Sequence, residues 1–189
     1  MSELWSAAGI RRPKRTDAAR NFDALIVAAR TAFAVDGPTA SLEEIARAAG
    51  VGIGTLYRNF PTRQHLYNSV YAQDVEQLCE VAIKVAALDP WQAWTTWLRR
   101  FVEFEATKRA MRDGIDRTSP LFDAGRQALA AAGEPLLRNA QEAGAVRDDI
   151  SLIDAIRLVT GISRNSFDTD DQFDRVLGIA IDGLRPQHQ

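Results

Sequence analysis

The chain has few of the residues that build catalytic and metal sites. It contains one cysteine, Cys79, and two histidines, His65 and His188, in 189 residues. A single cysteine excludes an internal disulfide, which fits a reducing cytoplasm. No His, Cys and carboxylate residues share the spacing of a metal site, and neither a glycine-rich phosphate loop nor a GxSxG motif occurs. These absences argue against an enzyme and predict neither a metal nor a cofactor.

Long apolar runs are also missing. No segment approaches the roughly 20 consecutive apolar residues that span a bilayer. The first residues lack the apolar run of a signal peptide. Apolar residues nevertheless make up 46% of the chain, which is enough for a substantial core in a protein of this length. The sequence therefore predicts a globular cytoplasmic protein that makes no membrane contact.

The charge of the chain is unevenly distributed. Residues 1–68 contain nine Lys and Arg against six Asp and Glu, a net charge of +3. Because the whole chain has a net charge of −2, the remainder carries −5. A basic end on an acidic protein indicates a surface for a polyanion, although basic tails are often simply solvated.

Apolar residues recur at helical spacing along most of the chain, and alternating strand patterns of useful length are absent. The sequence therefore predicts an all-α fold. The predicted helices cover about 17–33, 42–49, 51–60, 63–81, 91–111, 120–143, 151–163 and 170–184.

The stretch SLEEIARAAGVGIGTLYRNF, residues 41–60, is the most informative part of the sequence. Ser41 and Glu44 have the spacing of a capping box, in which each side chain bonds to the other residue's amide. Gly50 suits the left-handed conformation that ends many helices. Two short helices joined by such a turn are the helix-turn-helix arrangement, whose second helix enters the major groove.

The second of these helices has a polar face opposite its apolar one. Its hydrogen-bonding side chains suit phosphates and base edges, and its glycines would let the backbone approach DNA closely. The candidate residues are Gly52, Gly54, Thr55, Tyr57, Arg58 and Asn59.

The pattern AARTAFAVDG followed by SLEEIARAAGVGIGTLYRNFPTRQHLYNSV resembles the N-terminal domain of the TetR/AcrR family of regulators over about Arg20–Val70. The resemblance implies a DNA-binding domain over 17–68, with its helix-turn-helix at 41–60. A flexible basic arm over 1–16 would precede this domain. A helical domain over 69–189 would bind a ligand and dimerise.

The resemblance also implies individual DNA contacts. Thr55, Tyr57 and Asn59 would contact the operator, with Ile53 and Gly54 near base edges. Gly52 stands where many members carry serine, so one phosphate contact would be lost. Further expected contacts are phosphate binding by Arg63, a cap by Ser41 beside the DNA backbone, and an arm of Arg11, Arg12, Lys14 and Arg15 near an adjacent groove.

An aromatic stripe in the predicted ligand-binding domain has two interpretations. Flat rings suit a planar or apolar ligand held between helices, but they are equally suited to a core. The candidate pocket residues are Trp94, Trp97, Phe101, Phe104, Met111 and Phe122.

The last two predicted helices carry apolar stripes that fit either the core of one chain or an interface between two. The resemblance favours a four-helix dimer interface. The candidate interface residues are Leu152, Ile156, Val159, Phe173, Val176, Leu177, Ala180, Ile181 and Leu184.

The implied function is a dimeric transcriptional regulator that binds a palindromic operator in double-stranded DNA. Its two recognition helices would lie about 34–36 Å apart. A small-molecule effector would release it from DNA, so that it acts as a repressor, with activation left open. The alternatives are an enzyme and a small-molecule binder without DNA affinity.

Overall fold

The computed structural model describes residues 2–110 and 118–186. Within those ranges the secondary structure is helical and contains no β-strand, which confirms the all-α prediction. The elements are α1 Ser2–Ala7, α2 Thr16–Asp36, the 3-10 turn Gly37–Thr39, α3 Leu42–Ala48, α4 Ile53–Asn59, α5 Arg63–Val85, α6 Pro90–Ala110, α7 Pro120–Glu142, α8 Leu152–Ser163 and α9 Asp170–Asp182. None of these helices combines the length and the apolar character needed to cross a membrane.

The chain divides into two compact units. The first consists of Met1–Glu76 and Thr107–Gln127, and the second of Gln77–Ala106 and Ala128–Gln189. The long helix α5 therefore contributes its first half to one unit and its second half to the other.

The first unit is organised around α2. Its buried residues are Phe22, Leu25, Ile26, Ala29 and Phe33, which is the stripe that the sequence predicts. The Phe22 ring lies 4.9 Å from the ring of Phe60, which follows α4, and the Phe33 ring stacks on Tyr67 of α5 at 4.1 Å. These ring contacts hold the end of α4 and the start of α5 against α2.

The N-terminal region differs from the predicted flexible arm. Residues 2–7 form α1, and the side chains of Leu4, Trp5, Ala8 and Ile10 are buried. The structure therefore gives this stretch a helix and packed apolar side chains, whereas the sequence predicted a flexible arm over 1–16. The physical reason is that burying these apolar side chains removes them from water, which favours a packed segment over a solvated tail.

In the second unit, aromatic side chains of α6 pack against α7. Trp97 is fully buried, and its indole N–H donates to the Leu78 carbonyl over 3.2 Å. Gly133 of α7 leaves room for this ring, because a Cβ there would come within 2.5 Å of it. The absence of a side chain at Gly133 therefore sets how closely the two helices approach.

Candidate nucleic-acid interface

The first helix of the predicted helix-turn-helix is capped by Ser41. The Ser41 hydroxyl accepts a hydrogen bond from the Glu44 amide over 3.3 Å, as predicted. It also donates to the Glu43 carboxylate over 3.1 Å. The reciprocal bond predicted between the Glu44 side chain and the Ser41 amide does not form among the described residues, because Glu43 is the carboxylate that reaches the cap.

The turn between α3 and α4 has the geometry expected of a glycine stop. Gly50 has a φ of 69°, in the left-handed region that favours glycine. The Gly50 amide donates to the Arg47 carbonyl and the Val51 amide to the Ala46 carbonyl, each over 3.0 Å. This pair of bonds is the Schellman motif, and it fixes the direction in which the chain leaves α3.

Helix α4 has one buried side and one open side. Leu56 is 1% exposed, and Phe60 directly after the helix is fully buried, so these two side chains anchor α4 to the first unit. Ile53, Gly54, Tyr57 and Arg58 are exposed, as is Gly52 before the helix, whereas Thr55 and Asn59 are half-buried. The open side therefore contains four of the residues that the sequence singled out on this helix, and the other two are partly accessible.

Hydrogen bonds within α4 hold two side chains of this face, Arg58 and Asn59, along the helix. Arg58 donates from Nε to the Gly54 carbonyl over 3.2 Å and from Nη2 to the Thr55 hydroxyl over 3.0 Å. Asn59 donates from Nδ2 to the Thr55 carbonyl over 2.8 Å. Tyr57 is 46% exposed. Its ring is therefore the largest side chain that α4 presents to solvent.

The packing does not require glycine at Gly52 or Gly54. A Cβ built at either position meets no heavy atom within 4 Å, and neither residue has a positive φ. Glycine in a helix costs up to about 1 kcal/mol relative to alanine. Access to the backbone from outside is a physical reason for such residues here.

Two of the other predicted DNA contacts are engaged within the chain. Arg63 is half-buried and donates from Nη1 to the Ala40 carbonyl over 2.6 Å, so it ties the start of α5 to the loop before α3. Arg12 donates to both carboxylate oxygens of Asp23, each over 2.8 Å. Arg11, Lys14 and Arg15 are exposed.

The start of α5 is capped by Thr62. The Thr62 hydroxyl accepts from the His65 amide over 3.3 Å and lies 2.7 Å from His65 Nδ1. The cap places the first turn of α5 directly after Phe60 and Pro61. It therefore links α4 to α5 through a short, ordered junction.

A buried ion pair joins α2 to α5. Arg30 pairs with Asp74, and its Nη2 donates to Gln73 over 3.3 Å. Burial raises the pKa of the Asp74 carboxyl to about 6, against the opposing effect of the Arg30 guanidinium. Sequence reasoning did not single out this pair, because each of its members alone resembles a solvated surface charge.

Four of the six candidate pocket residues, all on α6, form a continuous aromatic row in the second unit. Ring centroids are separated by 5.9 Å between Trp94 and Trp97, 5.8 Å between Trp97 and Phe101, and 5.8 Å between Phe101 and Phe104. All four side chains are buried, as in a core. Phe122 belongs to the first unit, where its ring stacks on Tyr71 at 5.7 Å. Met111 lies outside the described residues.

The candidate dimer residues divide between the core and the surface of the chain. Ile156, Phe173 and Ala180 are half-buried, and Val176 is exposed. The remaining five are 4% exposed or less and pack inside the single chain; they are Leu152, Val159, Leu177, Ile181 and Leu184. Three further apolar side chains of α8 and α9 are exposed: Ile153, Leu158 and Ile179.

Two family models match the sequence. Residues 25–70 match the model described as bacterial regulatory proteins, tetR family. Residues 89–186 match the model described as transcriptional regulator SbtR-like, C-terminal domain. The first match contains α3, α4 and the start of α5, and the second contains α8 and α9.

Solved structures resemble the chain over most of its length. A TetR transcriptional regulator from Streptomyces coelicolor is 36% identical, with 88% of this chain and 99% of that one covered and a TM-score of 0.77. A TetR transcription regulatory protein from Mycobacterium vanbaalenii is 33% identical, with 92% and 100% covered and a TM-score of 0.74. A TetR family regulator from Thermus thermophilus, 20% identical over 87% and 99% with a TM-score of 0.64, shares the fold.

Proposed function

Because the chain belongs to the TetR family of bacterial regulatory proteins, we propose that it is a repressor that binds a palindromic operator as a dimer and leaves it when a small molecule binds. Members of this family are DNA-binding transcriptional regulators and not enzymes. The observation that carries the proposal is the open side of α4, where Tyr57 and Ile53 are exposed while Leu56 anchors the helix.

In this proposal α4 lies in the major groove. Tyr57 and Ile53 are exposed on this side of the helix and contact base edges or the thymine methyl group. Gly52 and Gly54 allow the phosphate backbone to approach. Arg58 exchanges its bonds to Gly54 and Thr55 for bonds to DNA, an exchange that costs little because the side chain is already exposed.

The resemblance implies that Arg63 binds phosphate, whereas in this proposal its first role is structural. Its Nη1 is engaged by the Ala40 carbonyl, so this arginine primarily fixes the loop before α3. A guanidinium carries five N–H donors, so others can still bond to a phosphate. Ser41 holds the start of α3 next to that loop.

The dimer would form through the exposed side of the last two helices. Val176 and Ile179 are 36% and 73% exposed on α9, and Phe173 and Ala180 beside them are half-buried. An exposed apolar patch on a helix is typical of a protein interface. A two-fold axis through this patch would pair the two DNA-binding regions, which is what a palindromic operator requires.

The ligand would bind in the region 69–189, and the DNA-binding region would be 17–68. The indole N–H of Trp94 is buried and has no hydrogen-bond partner among the described residues. Because a buried donor without an acceptor is costly, an effector with an acceptor group beside this ring would be favoured. Such a ligand lowers DNA affinity by its preference for the non-binding conformation. The protein would act on DNA in the cytoplasm.

Selection from random duplexes, followed by binding measurements at several salt concentrations, tests the proposal. We expect a palindromic site bound with steep salt dependence. Tyr57→Ala should weaken binding to that site by about 10- to 100-fold, the value of a good base contact. The control is Ile83→Ala, which truncates an exposed apolar residue on the second half of α5.

The same experiment separates the remaining alternative. Weak binding that does not depend on sequence would favour a small-molecule binder without operator affinity. Equal affinity of Tyr57→Ala and the unaltered chain for the selected site would contradict the placement of α4 in the groove.

A further inference from the structure

The N-terminal helix α1 contacts both long helices of the first unit. The Trp5 ring lies 5.7 Å from the Phe22 ring of α2. Its indole N–H donates to the Glu76 carboxylate of α5 over 3.3 Å. Trp5 thus ties the beginning of the chain to α2 and α5 together.

A second contact reaches the same carboxylate from the other end of the segment. Arg12 Nη1 lies 4.0 Å from Glu76 Oε2, and Arg12 Nη2 bonds to both oxygens of Asp23 on α2. The Glu76 side chain is 13% exposed, so its interactions are partly shielded from water. Trp5 and Arg12, with their partners Asp23 and Glu76, are called the N-terminal anchor below.

Between the two contacts the chain passes the first turn of α5. Gly9 has a φ of 72°, and a Cβ on it would lie 3.8 Å from His65 Nε2. His65 belongs to the turn that Thr62 caps, directly after α4 and Phe60. The left-handed glycine therefore turns the chain beside the junction of α4 and α5.

The residues that follow are basic. Arg11, Lys14 and Arg15 are exposed, and in the part of the chain that the structure describes none of them forms an ion pair. Six residues span at most about 20 Å, so the stretch from Gly9 to Arg15 stays near the first turn of α5. Three cations are thus carried on a short segment that begins beside the junction of α4 and α5.

We infer that the N-terminal anchor fixes Arg11, Lys14 and Arg15 against operator phosphates, and that Arg12 is a positioning residue that does not itself contact DNA. The inference rests on the proposed function, because it presumes that α4 binds a duplex. An anchored segment loses less conformational entropy on binding than a flexible arm does, so the same charges bind more tightly.

The salt dependence of operator binding distinguishes the two kinds of basic residue. Each phosphate contact contributes about 0.9 to the slope of log K against log salt. Lys14→Gln and Arg15→Gln should therefore each reduce the slope by about 0.9. Arg12→Gln should weaken binding by about 3- to 10-fold through loss of order, while the slope stays as in the unaltered chain.

Trp5 provides a test of the anchor that does not remove a charge. Trp5→Ala should weaken binding by a similar factor of about 3 to 10 with no change of slope. Trp5→Phe, which keeps a ring against Phe22, should recover most of the affinity. Arg99→Gln, which removes an exposed cation of α6, is the control and should change neither affinity nor slope.

Trypsin digestion of the DNA-free protein gives an independent readout. Cleavage after Arg11, Lys14 and Arg15 should be slow in the unaltered chain and faster in Trp5→Ala and Arg12→Gln, with circular dichroism confirming that both variants keep their helices. Equal cleavage rates would overturn the anchor.

The outcomes separate this inference from the proposed function. If the unaltered chain binds its operator but Arg12→Gln lowers the slope as much as Lys14→Gln does, Arg12 contacts DNA and the inference is wrong while the proposed function stands. If the unaltered chain binds no duplex specifically, both fail.

Discussion

Helices α4 and α9 carry the two surfaces on which the proposed function depends, and the residues that the sequence singled out on them differ in exposure. On α4, Tyr57 and Arg58 were singled out as outward-facing and both are exposed. On α9, Leu177 and Ile181 were singled out as interface residues and both are buried in the single chain. Each helix is amphipathic, so the difference lies in the kind of side chain that marks the surface.

A polar side chain identifies an outward face because burying it without a partner costs free energy. An apolar side chain has no such constraint. The core of one chain and the interface between two chains select the same residues at the same helical spacing. Sequence periodicity therefore locates an apolar stripe but leaves open whether the same chain or another chain covers it. On α9, Leu177 is buried within the chain, whereas Ile179 is exposed.

The largest expected effect tests the assignment of Leu177 to the core. Leu177→Ala should lower the free energy of unfolding by about 2–5 kcal/mol, because it opens a cavity among side chains that pack within one chain. Chemical denaturation at one fixed protein concentration measures this, since association also contributes to apparent stability.

Val176→Ala, at the neighbouring exposed position, is the matched control and should cost under about 1 kcal/mol. If the two substitutions had equal effects, the contrast between the buried and open sides of α9 would be lost.

A second prediction concerns Asp74. Polar side chains mark the outward face of α4, whereas the polar side chain of Asp74 is buried. Its pKa is raised from 3.8 to about 6, so the folded protein binds this proton more tightly than the unfolded chain does. The contribution of Asp74 to stability is then fully present below about pH 4 and is lost as the pH rises through 6, by about 3 kcal/mol in all.

Stability profiles of the unaltered chain and Asp74→Asn between pH 4 and pH 7 measure this contribution. The quantity to compare is the difference in stability between the two proteins at each pH. Hydrogen bonds lower the pKa values of Asp149 and Asp154, so these groups make stability rise with pH in both proteins. The unaltered chain should lose stability relative to the variant as the pH rises. Parallel profiles would show that the Asp74 pKa is not raised.

The smallest expected effect tests whether the open side of α9 forms the dimer. Ile179→Glu should raise the dimer dissociation constant at least about 10-fold, which corresponds to about 1.4 kcal/mol, because a charge would replace an apolar contact. Analytical ultracentrifugation measures the constant.

Ile83→Glu introduces the same charge at an exposed isoleucine of α5 and should leave the dimer intact. If Ile83→Glu dissociated the dimer and Ile179→Glu did not, the assignment of the interface to α9 would be wrong.

Local patterns predicted most of the helices. The turn at Gly50 and the cap at Ser41 lie where residue chemistry places them, because caps and glycine turns depend on neighbours within a few positions. Helix α1 was missed, since Leu4, Trp5 and Ile10 are too few to mark a helix without the surface of α2 and α5 that buries them.

The amino-acid order alone thus determined the all-helical architecture, the turn between α3 and α4 and the outward side of α4. Tertiary structure decided which apolar stripe is enclosed, that Arg12 and Arg63 bond within the chain, and that Asp74 is buried beside Arg30. The physical reason is range. Caps, turns and the placement of polar groups follow from adjacent residues, whereas burial and ion pairing depend on helices that are far apart in the chain and meet only in the folded protein.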